Sequence, residues 1–251
     1  MDLVDPYAET RWVPRTGEGL SFDEQYRAAH LPHVAPEHPR RIDHWEGHGY
    51  HHGRYDPARV SLVADLGRSF LTRSGCRRLV SELAASSFAT KVAFDMIERR
   101  AANLHCTLLA DIDFEPTERR AANRVLSAAP PLEPVLHGPF IGRFNRGRIY
   151  LPVEFDRAAD QRLLTSLSGI FGASPPIVTA VGLVNLREEL DPGEAQEMTA
   201  ILLRLRDQRS RLAVPTLSWT STHDDLTLDM RRLETIALTG GRPSLKRLSG
   251  G

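Results

Sequence analysis

Lysine and cysteine are almost missing from this sequence. Lys91 and Lys246 are the only lysines, so nearly every basic side chain is an arginine. Arginine suits bidentate phosphate contacts, but a bias spread over a whole chain says little about any one site. Two cysteines, Cys76 and Cys106, are too few for a disulfide framework, and a reducing cytoplasm is the expected setting. Net formal charge is also missing: 32 basic residues balance 32 acidic ones, which argues against nonspecific nucleic-acid binding through bulk electrostatics. No run approaches the roughly 18 apolar residues of a membrane span, and the acidic, Pro-containing start does not read as a signal peptide.

What is present is an ordinary apolar content of 41% over 251 residues, enough for one large or two small cores. Residues 1–58 differ from the rest. They hold Pro6, Pro14, Pro32, Pro36, Pro39 and Pro57, together with His30, His33, His38, His44, His48, His51 and His52, and little regular periodicity. This stretch reads either as an extended arm laid over a domain or as a partly ordered leader, with Trp12, Trp45, Tyr50 and Tyr55 available for docking.

A domain is expected over 59–239, and 240–251 reads as a flexible tail. Val60–Leu66 has the composition of a buried strand, and Cys76, Leu79, Val80 and Leu83 share a helical face. Val92, Phe94 and Met96 alternate like an edge strand, although Lys91–Ile97 is ambiguous. A strand over 104–112 precedes a helix with Pro116 in its first turn. Pro134–Phe144 and Gly147–Phe155 form strands about the turn Asn145-Arg146-Gly147. A helix over 157–171 and a strand over Ile177–Val184 follow. Asp191-Pro192-Gly193-Glu194 then starts a helix as a capping box, and strands run from Thr216 to Leu238. The element order predicts an α+β, bilobal domain.

The tetrad His105-Cys106-Thr107-Leu108 carries the chemistry. Side chains two apart on a strand share a face, so His105 and Thr107 point to one side while Leu104, Cys106 and Leu108 enter the core. A group that titrates near neutrality is thereby paired with a hydroxyl able to hold a phosphate oxygen. Thr222-His223-Asp224-Asp225 is a second candidate, since a carboxylate beside an imidazole fixes its tautomer and raises its pKa. The cluster His44, His48, His51 and His52 could alternatively ligate a divalent metal, or dock as a hydrogen-bonded loop.

The string Asn103–Leu108, the hairpin Phe140–Val153 and the segment Pro175–Thr179 before a capped helix together resemble the 2H phosphoesterase superfamily, over about residues 60–238. The resemblance implies two antiparallel sheets with helices packed outside, and a cleft with one His-x-Thr motif from each lobe. It implies a phosphodiester or 2′,3′-cyclic phosphate hydrolase that acts on a nucleotide or RNA end, without cofactor or metal. His105 would be acid or base and Thr107 would hold the phosphoryl group.

The second motif, matched here to Ile177-Val178-Thr179, has Ile177 in the place of its histidine. Two imidazoles near pKa 6.5 serve as base and acid on opposite sides of the phosphorus, and each such group contributes about 10²–10⁴-fold. His223 is therefore the candidate replacement, with Thr179, Arg143, Arg146 and Arg148 expected to bind phosphate. A non-catalytic nucleotide- or RNA-binding member of the same fold is the rival, and a metalloprotein built on the N-terminal histidines is a third reading.

Overall fold

A computed structural model describes residues 11–15, 17–113, 115–173 and 179–240, so the stretch read as a tail lies, beyond Gly240, outside the described residues. The segment read as an arm begins with two short helices, α1 (Glu24–Ala29) and α2 (Leu31–Val34), and a small hairpin of β1 (His44–Trp45) and β2 (Tyr50–His51). Asp23 caps α1 by accepting from the Tyr26 amide at 2.9 Å. The expected strand at Val60 is the second half of β3 (Arg54–Asp65), which starts inside the stretch read as an arm.

The arm belongs to the core. Leu20, Phe22, Tyr26 and Leu31 are buried, and each such side chain contributes about 1.5–3 kcal/mol through burial. The Tyr26 hydroxyl donates to the Leu186 carbonyl at 2.6 Å, and its ring lies where any Cβ on residue 147 would sit, so Gly147 admits it.

Helix α3 (Ser74–Ala84) buries Cys76, Leu79 and Leu83, as its periodicity requires. Lys91–Ile97 is not an edge strand: a short 3-10 turn leads into α4 (Phe94–Arg100), which buries Met96, Ile97 and Arg100. The alternation of Val92, Phe94 and Met96 misled because Ile97 and Arg100 complete a helical face that a two-residue period hides. Strand β4 (His105–Leu109) and helix α5 (Pro116–Ala128) follow, with Pro116 at the helix start.

The expected strand Pro134–Phe144 is split into β5 (Val135–His137) and β6 (Phe140–Ile141), on either side of Gly138 and Pro139. Both pair with β7 (Arg148–Glu154). Next come α6 (Ala158–Phe171), β8 (Ala180–Asn185) and α7 (Pro192–Leu205). The capping box on α7 is present, with the Glu194 amide on Asp191 at 2.9 Å and the Asp191 amide on Glu194 at 2.8 Å. The last strands are β9 (Arg209–Arg211), β10 (Thr216–Asp224) and β11 (Arg231–Ala237).

The strands form two sheets of antiparallel pairings, which makes the protein α+β and bilobal. One sheet runs β1-β2-β3-β10-β11, and β3 is long enough to take β2 at its start and β4 at its end, with Val63 opposite Thr107. The other is centred on β7, with β5 and β6 along one edge and β8 along the other, Tyr150 facing Gly182. Apolar residues from both sheets and the helices share a continuous core around Trp219, whose indole N–H donates to Asn123 at 2.8 Å. Among the described residues no helix is long and apolar enough to cross a membrane.

Candidate functional site

Alternation along β4 puts Cys106 and Leu108 in the core and leaves His105 and Thr107 on a cavity of about 370 Å³ between the two sheets. The opposing sheet contributes Arg148 and Tyr150 from β7, and Ala180 and Gly182 from β8. The turn between β6 and β7 adds Arg143, Phe144 and Asn145, while α4 adds Arg100 and the turn after β10 adds Asp225. A narrower groove of about 150 Å³ shares His105, Thr107 and Asp225 and continues over the first sheet past Arg59, Ser61, Thr220 and Thr222.

Two guanidinium groups are buried in the cavity wall. Arg100 is 2% exposed and Arg148 is 7% exposed. Arg100 donates to the carbonyls of Leu226 at 2.6 Å and Gly182 at 3.0 Å. Arg148 donates to the carbonyls of Asp225 at 3.1 Å and Gly182 at 3.3 Å, and its Nε has no hydrogen-bond partner among the described residues. Neither forms an ion pair with a carboxylate among the described residues. Burial, then the like charge of Arg148, presses the Arg100 guanidinium below its ordinary value. Asp224, whose charge favours Arg100, is itself buried, and its carboxyl is pushed up. Desolvating an ion costs several kcal/mol, which neutral carbonyls offset only in part.

His105 is neutral at physiological pH. Burial lowers its pKa to about 4; the hydrogen bond to Asn103 opposes this, and the charges of Arg100 and Arg148 add to it. Nδ1 lies 2.8 Å from the Asn103 carbonyl, which can only accept, so Nδ1 carries the proton and Nε2 keeps its lone pair. The Tyr150 phenol is held protonated, since burial raises its pKa. His30, on the docked arm, is fully buried. Burial and then Arg148 push its pKa well down.

Of the segment matched to the second motif, Thr179 alone is described. Ile177 falls outside the described residues, and Thr179, which is described, does not line the cavity; its carbonyl accepts from the Val153 amide. Ala180 and Gly182 are the residues of β8 that face the cavity, while Val181 and Leu183 are buried in the core. The string Ala180-Val181-Gly182-Leu183 thus has the alternation of His105-Cys106-Thr107-Leu108, with small apolar residues at the two cavity positions. A Cβ on Gly182 would overlap the Arg148 guanidinium, which fills the volume that a threonine would need there.

The other candidates divide. Arg143 and Arg148 line the cavity, whereas Arg146 faces a separate depression with Trp45 and His48. His223 is not brought to the cavity: its Nδ1 binds the Tyr55 carbonyl at 2.9 Å, because Thr220, Thr222 and Asp224 take the groove face of β10. All ten histidines lie within the described residues, and His105 alone lines the cavity. His44, His51 and His52 come together on the hairpin, and His48 does not join them. Sequence reasoning missed Arg100, Tyr150, Ala180 and Gly182. The repeated alternation on β8 was the one signal available for the last two.

No protein-family model matches the chain, and no curated protein matches it. Among solved structures it is similar to the protein TT0787 of Thermus thermophilus, at 13% identity and a TM-score of 0.44, over 73% of this chain and 99% of that one. It is similar to a phosphoesterase at 17% identity and a TM-score of 0.42, over 73% and 99%. It is similar also to E. coli LigT, solved with NADP+, at 17% identity and a TM-score of 0.44, over 73% and 98%. With a His-x-Thr strand on a cleft between two antiparallel sheets, the chain has the α+β, bilobal arrangement that the sequence led one to expect.

Proposed function

We propose that the cleft binds the phosphate of a nucleotide or RNA end, as a binding member of a 2H-phosphoesterase-like fold. The observation that carries this reading is the pair of buried guanidiniums, Arg100 and Arg148, on one cavity with no carboxylate ion-paired to either among the described residues. A phosphate there converts two costly charges into charge-assisted hydrogen bonds, the strongest class available. The Arg148 guanidinium and the Thr107 hydroxyl both line the cavity and supply donors for the phosphoryl oxygens. Phe144, 72% exposed at the cavity, offers a flat face on which a base can stack.

Binding is preferred to turnover because only one imidazole reaches the cavity. Opening a cyclic phosphate needs a base on the attacking oxygen and an acid on the leaving one. His105 can be the base through Nε2, and Ala180 can be neither. Hydrolysis is the second reading, with the protonated Tyr150 phenol as the acid; it rests on the free Nε2 and on Tyr150 in the same cavity.

The test is calorimetric titration of the full chain with 2′,3′-cyclic AMP, 3′-AMP and adenosine, with chromatographic assay of the cyclic nucleotide in parallel. The expected result is binding of the two phosphorylated ligands, no binding of adenosine, and no turnover above buffer. Equal binding of adenosine, or no binding of any of the three, overturns the proposal. Turnover that disappears in His105→Ala replaces it by the hydrolase.

A further inference from the structure

The hairpin of β1 and β2 carries a feature that the cleft does not use. His44 and His51 are cross-strand partners, so their side chains leave the same face, and Trp45 and Tyr50 leave the other. The inner face is anchored, with Tyr50 buried among Tyr55, Ala28 and Ala29 and with Trp45 packed against them. His52, the next residue, has a left-handed backbone at φ 49°, a conformation uncommon outside glycine. Its ring joins those of His44 and His51.

The ring centroids lie 4.2 Å apart for His44 and His51, 4.5 Å for His51 and His52, and 5.5 Å for His44 and His52. One nitrogen from each of the three lies within 4.8 Å of the others. All three side chains are exposed, so apolar burial does not account for the gathering. Tetrahedral ligation at about 2.0–2.1 Å sets nitrogens roughly 3.3 Å apart, a contraction that exposed imidazoles on a short hairpin can make by small rotations.

The His52 ring has an outer partner as well. Its Nδ1 lies 3.1 Å from Asp43 Oδ1, while the His52 amide donates to the Asp43 carbonyl at 2.7 Å. A carboxylate on the far nitrogen is the usual support of a metal-bound histidine, fixing its tautomer and orientation. Arg41 shares the same carboxylate at 3.0 Å. His48, the fourth histidine of the cluster, stacks on Trp45 with centroids 3.9 Å apart, on the anchored side.

We infer that His44, His51 and His52 form a three-imidazole site for a divalent transition ion, Zn²⁺ foremost, with its remaining position open to water. Imidazole ligands suit Zn²⁺, Ni²⁺ and Cu²⁺ and disfavour Mg²⁺ and Ca²⁺. The ion would clip residues 43–52 into one conformation and so tie down the part of the arm that reaches furthest along the first sheet. Its contribution is to the fold of this hairpin and involves no step at the cleft.

The experiment uses the full chain without an affinity tag, titrated with Zn²⁺ alone by calorimetry and followed by thermal unfolding. One ion per chain is expected, with a rise in the unfolding temperature as Zn²⁺ increases. His44→Ala and His51→Ala should each weaken binding more than about tenfold, whereas His48→Ala should bind as the parent does. Unfolding without metal should be the same for all four proteins, since these rings are exposed. Co²⁺ should give the visible absorption of a low-coordinate site in the parent and lose it in His51→Ala. No Zn²⁺ bound at a tenfold excess, His44→Ala equal to the parent, or His48→Ala as weak as His51→Ala would each overturn the site.

Discussion

Strands β4 and β8 reach one cavity from different sheets and are built alike, two residues on the cavity alternating with two in the core. On β4 the cavity positions are His105 and Thr107; on β8 they are Ala180 and Gly182. The core positions are equivalent in kind, with Cys106 and Leu108 against Val181 and Leu183. The packing that makes each strand is therefore alike on both sides, while a titratable ring and a hydroxyl face the cavity from one side alone. In their place the second wall has Arg148, folded over Gly182. A strand can lose its chemistry without losing its fold, because the two sets of side chains lie on opposite faces.

The largest break in the comparison is expected from Arg148→Met, which keeps an unbranched stem and removes the charged head. If the altered wall is the one that holds phosphate, affinity for 2′,3′-cyclic AMP in calorimetry should fall by about 100-fold, the loss expected of charged hydrogen bonds in a buried site. A fall of less than threefold would return phosphate binding to the β4 side.

The intact wall should show itself in acid. His105 is neutral in the fold with a pKa of about 4, while an unfolded chain binds a proton near 6.5. The unfolded state therefore holds more protons between those values, so stability is full above about pH 6.5 and falls as pH drops toward 4. His30, also pushed well down, acts in the same direction. Urea unfolding of His105→Gln at pH 7 and 4.5 should show an acid loss smaller than the parent's by on the order of 2 kcal/mol. Equal losses would mean that His105 is solvated.

Gly182→Ala sharpens the contrast at smaller scale. The added methyl must displace the guanidinium, so phosphate affinity should drop about tenfold while adenosine binding stays nil, as one charge-assisted hydrogen bond is lost. Unchanged affinity would show that Arg148 has another resting place. The smallest effect is expected from His223→Ala, which should leave nucleotide binding within twofold of the parent, about 0.4 kcal/mol, because its ring serves the Tyr55 carbonyl. A large loss would bring β10 back into the site.

Much of this was legible before any coordinates. The capping box at Asp191 is a local rule, and it holds. His105 and Thr107 share a face because strand alternation is local too. What failed was of another kind. Arg100 was invisible because its helix spans few residues and its apolar positions also fit a strand. Ala180 and Gly182 drew no notice because alanine and glycine give a reader nothing to anchor a register on, whereas the threonine of Ile177-Val178-Thr179 does. His223 looked suited to catalysis beside its carboxylates, but which face of β10 it takes is settled by β3 and the groove. The arm was read as laid over a domain, yet its buried residues pack as part of the core.

The guanidinium folded over Gly182 also has a consequence for how this chain can change. A threonine placed at 182 collides with Arg148, and shortening Arg148 first would strip the cleft of a charge. Histidine at 180 alone would add an imidazole but no hydroxyl beside it. Each single step toward a second His-x-Thr strand therefore passes through a form that is worse at binding or no better at catalysis. Positions 148 and 182 are therefore not independent: the large side chain fills the space over the small one, so a bulkier residue at 182 calls for a change at 148 as well.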